Sequence, residues 1–282
     1  MKISICGCGW LGLPLAKYFV SQGHSVCGSS RDHDKAAMLE AEGIRSFIFK
    51  LPVILNESCT ADSSLSPFFS ADLLVVNVPP GRQDGAAQEF IAKIKSLSRA
   101  AKHAGCRKLI FVSTTSVYGC VSGVVTEESY PRPDTASGFA HFELEQWLAK
   151  EWGDDVRVLR LAGLIGPGRH PVRFLAGREG ITNGSDPVNL VHLDDCLEAI
   201  KQTAAIWPDK QVMHLAAPSH PTRCDYYTAM ALKAGLPQPD FSVSVKGGGK
   251  EIDASHTCQL LGMRVKHVDL MQEKPELDVI TK

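Results

Sequence analysis

Three glycines near the start of the chain, Gly7, Gly9 and Gly12, stand in the spacing G-x-G-x-x-G within ICGCGWLGLPLA. In a turn between a strand and a helix each has its own task. The first allows the tight turn, the second lets backbone approach a pyrophosphate, and the third lets the helix pack closely on the strand. Trp10 and Leu11 lie between them and lead into the helix, whose N-terminus offers amide donors and the positive end of a dipole. An apolar run, Ile3–Cys6, precedes the glycines and an amphipathic stretch follows. That is the context the motif needs, and the chemistry it offers is the holding of a nicotinamide dinucleotide.

The second strand bears on which dinucleotide. A strand that serves NAD ends in a carboxylate that bonds the ribose 2′-hydroxyl, about 20 residues past the glycines. Here the segment reads GSSRD from Gly28 to Asp32. Ser30 stands where the acid is expected and Arg31 follows. A hydroxyl and a planar fork of donors suit a 2′-phosphate, so NADP is favoured. Asp32 is close enough to turn the preference to NAD if the strand runs longer.

The elements that must position these groups alternate in type. Short β-rich runs at Ile3–Cys6, Ser25–Gly28, Ile44–Phe49, Leu73–Asn77, Lys108–Ser113 and Val156–Leu161 are separated by helix-length stretches. The helices fall near Leu11–Gln22, Lys35–Glu42, Ala86–Ala104 and Ala136–Glu151. This alternation predicts an α/β fold, a doubly wound parallel Rossmann sheet over residues 1–165. A smaller C-terminal α/β region, residues 166–282, is expected to bind substrate and to pack on the first with interleaved segments. It opens with a Gly-, Pro- and Arg-rich loop. It continues as a strand (Val188–Leu193), a helix (Asp194–Ile206), a strand (Val212–Ala216) and a helix (Cys224–Ala234). The stretch KGGGK, residues 246–250, reads as a flexible turn.

Composition narrows the class. Among 282 residues, 44% are hydrophobic and 22% charged, and the net charge is −1. These values are ordinary for a globular enzyme and supply no basic stripe for nucleic acid or a membrane surface. The nine cysteines show no metal-type spacing and read as reduced thiols in a cytoplasmic protein. The apolar N-terminal run is broken by glycines and a proline, and no small-residue cleavage site follows, so it does not read as a signal peptide. The chain has no run of 18 apolar residues, so no membrane span is expected.

Five motifs occur in order: GCGWLG at the start, VNVPPG at 76–81, FVSTTSVYG at 111–119, LRLAGLIGPGR at 159–169 and VNLVHLDDCLEAI at 188–200. Together they resemble the extended short-chain dehydrogenase/reductase superfamily, the NAD-dependent epimerase/dehydratase group. The GCGWLGLPLA start and the closing GKEIDASHTCQLLG resemble an atypical bacterial subgroup of it. The resemblance implies that Val78, Pro79 and Pro80 line the cofactor. It also implies that Thr114, four residues before Tyr118, is the hydroxyl that bonds a substrate oxygen as charge develops. Read without the resemblance, Ser113–Ser116 is a strand end with capping hydroxyls. Dehydratases of the superfamily carry Asp-Glu after the threonine, whereas this chain has Thr115-Ser116.

The resemblance breaks where the superfamily's chemistry rests, on Tyr-x-x-x-Lys in the helix after the fifth strand. Alignment through Glu145 puts Ser137 at the tyrosine position and His141 at the lysine position. Ser137, His141 and Glu145 share one helical face, so His141 could serve as acid/base; the plainer reading is a half-exposed histidine on an amphipathic helix. Tyr118 and Tyr130 are further proton-donor candidates, Tyr118 being more simply structural. On the substrate side, Asn189 and His192 flank the expected pocket, and Arg169 could hold an anionic substrate. Asp194 and Asp195 read as acids at a helix start, and no metal is expected for want of a third ligand.

These residues predict an oxidoreductase or epimerase-like protein for a small polar or sugar-like substrate. Homodimerisation through the helices flanking the fourth and fifth strands is compatible with it. Two alternatives stand beside it: an NADP-binding sensor or scaffold without catalysis, and a sugar-nucleotide epimerase.

Overall fold

A computed structural model describes residues 1–56, 60–81, 83–242 and 248–277. The chain divides into two compact units. The first comprises Met1–Ser113, Thr135–Leu159 and Asp209–Val212, and the second Thr114–Asp134, Arg160–Pro208 and Met213–Lys282.

The central sheet has seven strands. They are β1 (Lys2–Cys6), β2 (Ser25–Ser30), β3 (Arg45–Ile48), β4 (Leu73–Val76), β5 (Lys108–Thr114), β7 (Val156–Leu161) and β10 (Val212–Leu215), in the order β10-β7-β5-β4-β1-β2-β3. β1 pairs in parallel with β2 and β4, β2 with β3, and β4 with β5. This is the doubly wound parallel arrangement expected of the sequence, extended at one edge by β10. The apolar run Leu73-Leu74-Val75-Val76 is buried throughout, as a strand covered on both faces requires.

Four long helices belong to this unit: α1 (Gly12–Ser21), α2 (His33–Ala41), α4 (Ala86–His103) and α5 (Ala136–Trp152), with the short α3 at Ser66–Phe69. Phe90, Ile94 and Leu97 of α4 and Leu144 and Leu148 of α5 recur at helical spacing. They bury into one cluster with Val76, Phe111 and Val158 of the strands. Trp152 keeps its indole N–H satisfied there by donating to Ser98 Oγ at 2.7 Å. The order reverses between β1 and β4, and ligands of such sheets bind outside the carboxyl ends of the strands at that switch point.

In the second unit, β6 (Gly123–Val125) pairs in parallel with β11 (Lys250–Ile252), and β8 (Gly163–Ile165) with β9 (Leu190–His192). Helices α6 (Val172–Leu175), α7 (Leu193–Ile206), α8 (Arg223–Lys233) and α9 (Ser255–Leu260) complete it. Its core gathers Ile165, Val172 and Leu190 with Tyr226, Met230 and Ala231 of α8, and with Leu270. β9 is shorter than the strand expected at Val188–Leu193: it begins at Leu190, and it ends at His192 because that residue serves as the cap of α7, accepting from Asp194 N at 3.2 Å. The glycine-rich turn at 246–250 falls partly outside the described residues; from Lys250 the chain is strand. Among the described residues no helix is long and apolar enough to cross a membrane.

Candidate functional site

The glycine loop leaves β1 and enters α1 with each glycine fixed for a separate reason. Gly7 has φ +101°, and a Cβ there would stand 2.2 Å from the Asn77 carbonyl oxygen. A Cβ on Gly12 would stand 2.1 Å from the carbonyl oxygen of Gly7, whereas one on Gly9 meets nothing within 4 Å. Gly7 and Gly12 are therefore required by the protein's own backbone. Gly9 faces open space among the described residues and is exposed, so the fold itself does not demand a glycine there.

Neighbouring residues hold this turn. Gly7 N donates to Ser29 Oγ at 3.1 Å, and Asn77, at the end of β4, donates from Nδ2 to Gly7 O at 3.3 Å. No side chain among the described residues caps the N-terminus of α1, so its first amides are of the kind that can bind an anion. Leu11 is buried and Trp10 half-buried beside them; Val78 and Pro80 are half-buried and Pro79 exposed after β4. These features fit a dinucleotide pyrophosphate.

At the end of β2, Ser30 is buried and its hydroxyl is used locally. It donates to Asp32 O at 2.8 Å and accepts from Asp32 N at 3.2 Å. The Asp32 carboxylate caps α2 by accepting from Lys35 N at 2.9 Å. Arg31, between them, is exposed.

On α5, His141 is 5% exposed rather than half-exposed. Its ring lies 4.9 Å from Phe90 and 6.0 Å from Phe111, centroid to centroid. Its Nδ1 donates to the Ser137 carbonyl oxygen at 2.8 Å, with Ser137 Oγ 3.5 Å away. Burial pushes its pKa down, partly opposed by that bond and by Glu145. The nitrogen facing Ser137 thus carries the proton and cannot act as base toward that hydroxyl. Glu145, also buried, accepts from Ser113 Oγ at 2.5 Å.

The remaining candidates belong to the second unit. Thr114 Oγ1 accepts from Ser116 N at 3.1 Å, which leaves its hydroxyl hydrogen to donate. Tyr118 is 1% exposed. Arg160 donates to its oxygen at 3.0 Å, and the phenol stands 3.0 Å from His214 Nδ1. His214 Nε2 lies 2.7 Å from the Asp253 carbonyl oxygen, an acceptor only. Nε2 therefore holds the proton, and Tyr118 donates to Nδ1. Burial lowers the pKa of His214, consistent with this neutral tautomer. Tyr130 is exposed.

A cavity of about 360 Å³ in this unit is lined by residues that include Asn189, Leu190, Arg223 and Tyr227, a volume within the range of small-molecule sites. Asn189 lines it, but its amide ties down β11, donating to Lys250 O at 2.7 Å and accepting from Ile252 N at 2.8 Å. His192 and Arg169 are not among the lining residues. Arg223 is the group that sequence reasoning missed. Its guanidinium stacks 5.5 Å from the Tyr227 ring centre, and its Nε is buried without a hydrogen-bond partner among the described residues.

Residues 3–205 match the family described as the NAD dependent epimerase/dehydratase family. The chain belongs to that family. It is 38% identical over 269 residues to protein YeeZ of Escherichia coli strain K12, covering 95% of this chain and 97% of that protein. Among solved structures it is similar to the UDP-glucose 4-epimerase of Thermotoga maritima solved with UDP-glucose. The TM-score is 0.76 at 18% identity, over 98% of this chain and 97% of that one. A UDP-glucuronic acid 4-epimerase of Bacillus cereus in complex with NAD aligns with TM-score 0.73 at 19% identity, over 96% and 95%. At such identities the likeness is one of fold.

Proposed function

We propose that the protein is an NADP-dependent oxidoreductase or epimerase acting on a small, polar, anionic substrate of the sugar-nucleotide class. The observation that carries this reading is the turn at Gly9: open space where a side chain would be, beside the uncapped start of α1. Gly7, Gly9, Trp10, Leu11 and Gly12 would hold the pyrophosphate, with Val78, Pro79 and Pro80 alongside. Preference for NADP rests on Arg31. Ser30 and Asp32 are used within the fold, so the exposed guanidinium is the group near the end of β2 suited to a 2′-phosphate. When bound, the nicotinamide supplies the hydride that is given or taken.

On the substrate side, Arg223 would hold an anionic group such as a phosphate, because its buried, unpartnered Nε gains a charge-assisted bond. Thr114 would donate its free hydroxyl hydrogen to a substrate oxygen. His141 in its neutral form and Ser137 would stand in for the missing pair, with Ser137 as donor to substrate. The eight described cysteines are unpaired, which supports a reducing cytoplasmic setting. The aromatic Phe139, 58% exposed on α5, supports a homodimer formed through α4 and α5.

The test is fluorescence titration with NADPH and NADH, followed by hydride exchange from stereospecifically labelled NADPH across a panel of nucleotide sugars. Tight NADPH binding with exchange into one substrate is expected. Tight binding with no exchange anywhere on the panel would remove the enzymatic part of the reading, and absence of binding would remove all of it.

A further inference from the structure

The second unit also holds a buried run of polar groups centred on His214 of β10, which is 0% exposed. Its Nδ1 accepts from the Tyr118 hydroxyl at 3.0 Å, and its Nε2 donates to the Asp253 carbonyl oxygen at 2.7 Å. Its backbone N donates to Thr257 Oγ1 at 3.2 Å, and that hydroxyl donates to Glu127 Oε1. Glu127 Oε1 in turn stands 3.5 Å from His214 Nε2. The charged groups facing the imidazole are thus Arg160 of β7, Glu127 after β6 and Asp253 after β11. His256, exposed on α9, stands 3.9 Å from Glu127 Oε2, and His220 and Cys258 interact electrostatically with these carboxylates.

Tyr118 closes a single tight turn, Thr115–Tyr118, whose cap is Thr114. Thr114 Oγ1 accepts from Ser116 N at 3.1 Å, Gly119 N donates to Ser116 O at 3.1 Å, and Lys250 Nζ donates to Gly119 O at 2.6 Å. Gly119 has φ +64°, and a Cβ there would stand 2.0 Å from the Arg132 carbonyl oxygen. Residues 114–119 are therefore fixed as one piece, and what holds Tyr118 also holds Thr114. One phenol oxygen accepts from Arg160 at 3.0 Å and donates to His214 Nδ1 at 3.0 Å, so those two nitrogens lie no more than about 6 Å apart. A proton on Nδ1 takes away the acceptor of the Tyr118 hydroxyl. It also sets a second cation across that oxygen from Arg160, in a buried place where charge is costly.

We propose that His214 is a positioning residue that works as a proton-operated latch: neutral, it holds the Thr114–Gly119 turn closed through Tyr118, and on taking a proton at Nδ1 it lets the turn go. Burial, the largest influence, pushes the pKa of His214 below 6.5; the Asp253 carbonyl and Glu127 oppose this, and Arg160 adds to it. The closed turn therefore favours the neutral imidazole. Its hold is complete above pH 6.5, the value of a freed histidine, and is lost as pH falls below that. Contact between Thr114 and a substrate oxygen is thereby confined to the neutral and alkaline range. That link rests on the role proposed above for Thr114, whereas the latch itself does not. The sequence hid it because Tyr118, Arg160 and His214 come from three distant stretches of the chain.

Hydrogen exchange read by mass spectrometry on the full chain, with neither cofactor nor substrate, tests the latch from about pH 7.5 to about 4.5. Corrected for the intrinsic pH dependence of exchange, protection of the peptide covering 114–119 should fall by up to about tenfold per pH unit below 6.5. His214→Asn is the deciding variant, because its amide oxygen can stand where Nδ1 stands and accept from Tyr118 at every pH. Its protection at 114–119 should stay level across the range. His214→Gln, whose amide reaches Asp253 rather than Tyr118, should open the turn already at neutral pH. His256→Gln should keep the pH dependence of the unsubstituted chain. If His214→Asn does not fold, Tyr118→Phe, with no hydroxyl to hold, should show the same level protection. A fall that persists unchanged in His214→Asn or Tyr118→Phe, or that disappears in His256→Gln, would overturn the assignment. Where turnover is found, its acid limb should move to lower pH in His214→Asn; an unmoved limb beside altered exchange would remove the link to Thr114.

Discussion

Replacing Gly9 by alanine separates what the fold needs from what the ligand needs. An alanine Cβ at this position meets no atom within 4 Å, and the residue is outside the left-handed region. The unliganded protein therefore accepts it without strain. It should even gain about 0.4–1 kcal/mol, because the unfolded chain loses freedom. For a domain of this size that is a rise of roughly 1–4 °C in melting temperature. The same methyl group enters the space the pyrophosphate would fill. Losing one charge-assisted N–H bond costs about 1.5–3 kcal/mol, so NADPH affinity should fall roughly ten- to a hundredfold. Gly12→Ala is the control with the opposite signature. Its Cβ would stand 2.1 Å from the Gly7 carbonyl oxygen, so the turn must shift at a cost of about 1–3 kcal/mol. Scanning fluorimetry without ligand and fluorescence titration with NADPH read the two quantities. A Gly9→Ala protein that melts lower and binds NADPH as before would refute both the open-space geometry and the ligand assigned to it.

Arg31→Ala should weaken NADPH binding about tenfold or more and leave NADH binding unchanged; equal losses for the two cofactors would remove the 2′-phosphate assignment. Tyr118→Phe breaks the relay from Arg160 to His214 and should cost about 1–3 kcal/mol of stability in urea, with NADPH affinity untouched. Loss of turnover at full stability would instead make Tyr118 a proton donor. His170 accepts from Val172 N and stands 2.8 Å from the Tyr226 hydroxyl, and burial lowers its pKa from 6.5 to about 4. The folded state therefore favours neutral His170. That stability is complete above pH 6.5 and is lost as pH falls toward 4, by about 3 kcal/mol in all. His170→Gln should flatten this slope in urea titrations at pH 7.5 and 5, and an unchanged slope would show that His170 does not set it.

The turn from β1 through the glycines into α1 was legible in the sequence because its signals are local. A strand, three spaced glycines and a helix occupy one short stretch. Likewise, the absence of an acid at Ser30 can be read without knowing what Ser30 touches. Locality also explains the errors of detail. His192 and not Asp194 caps α7, since a histidine cap has no distinctive composition, and β9 stops early for that reason. What stayed hidden depends on residues far apart in the chain. His141 looked half-exposed on its own helix, and only the packing of Phe90 and Phe111 buries it. Asn189 looked like a substrate ligand until β11 arrived to use both ends of its amide. Arg223, on an ordinary amphipathic helix, becomes notable only when its Nε is buried at a cavity wall without a partner among the described residues.

Of these residues, His141 shows why a histidine rather than a lysine suits its place on α5. A lysine at position 141 would place a charge against Phe90 and Phe111, where desolvation disfavours any cation; histidine fits there because it can remain neutral. Its Nδ1 proton is held by the Ser137 carbonyl, so the helix turn itself fixes the tautomer and leaves Nε2 as the acceptor. A neutral histidine at this position is therefore in keeping with its buried surroundings on α5. A catalyst built this way would hold its cofactor chiefly through Arg31 and backbone amides. It would move protons through a neutral group, Ser137, whose hydroxyl needs no ionisation in the neutral range. Its turnover should accordingly lack the steep rise with pH that a lysine-assisted tyrosinate gives. A pH–rate profile flat from about pH 6 to 9 is the mark that separates this arrangement from a relocated tyrosine.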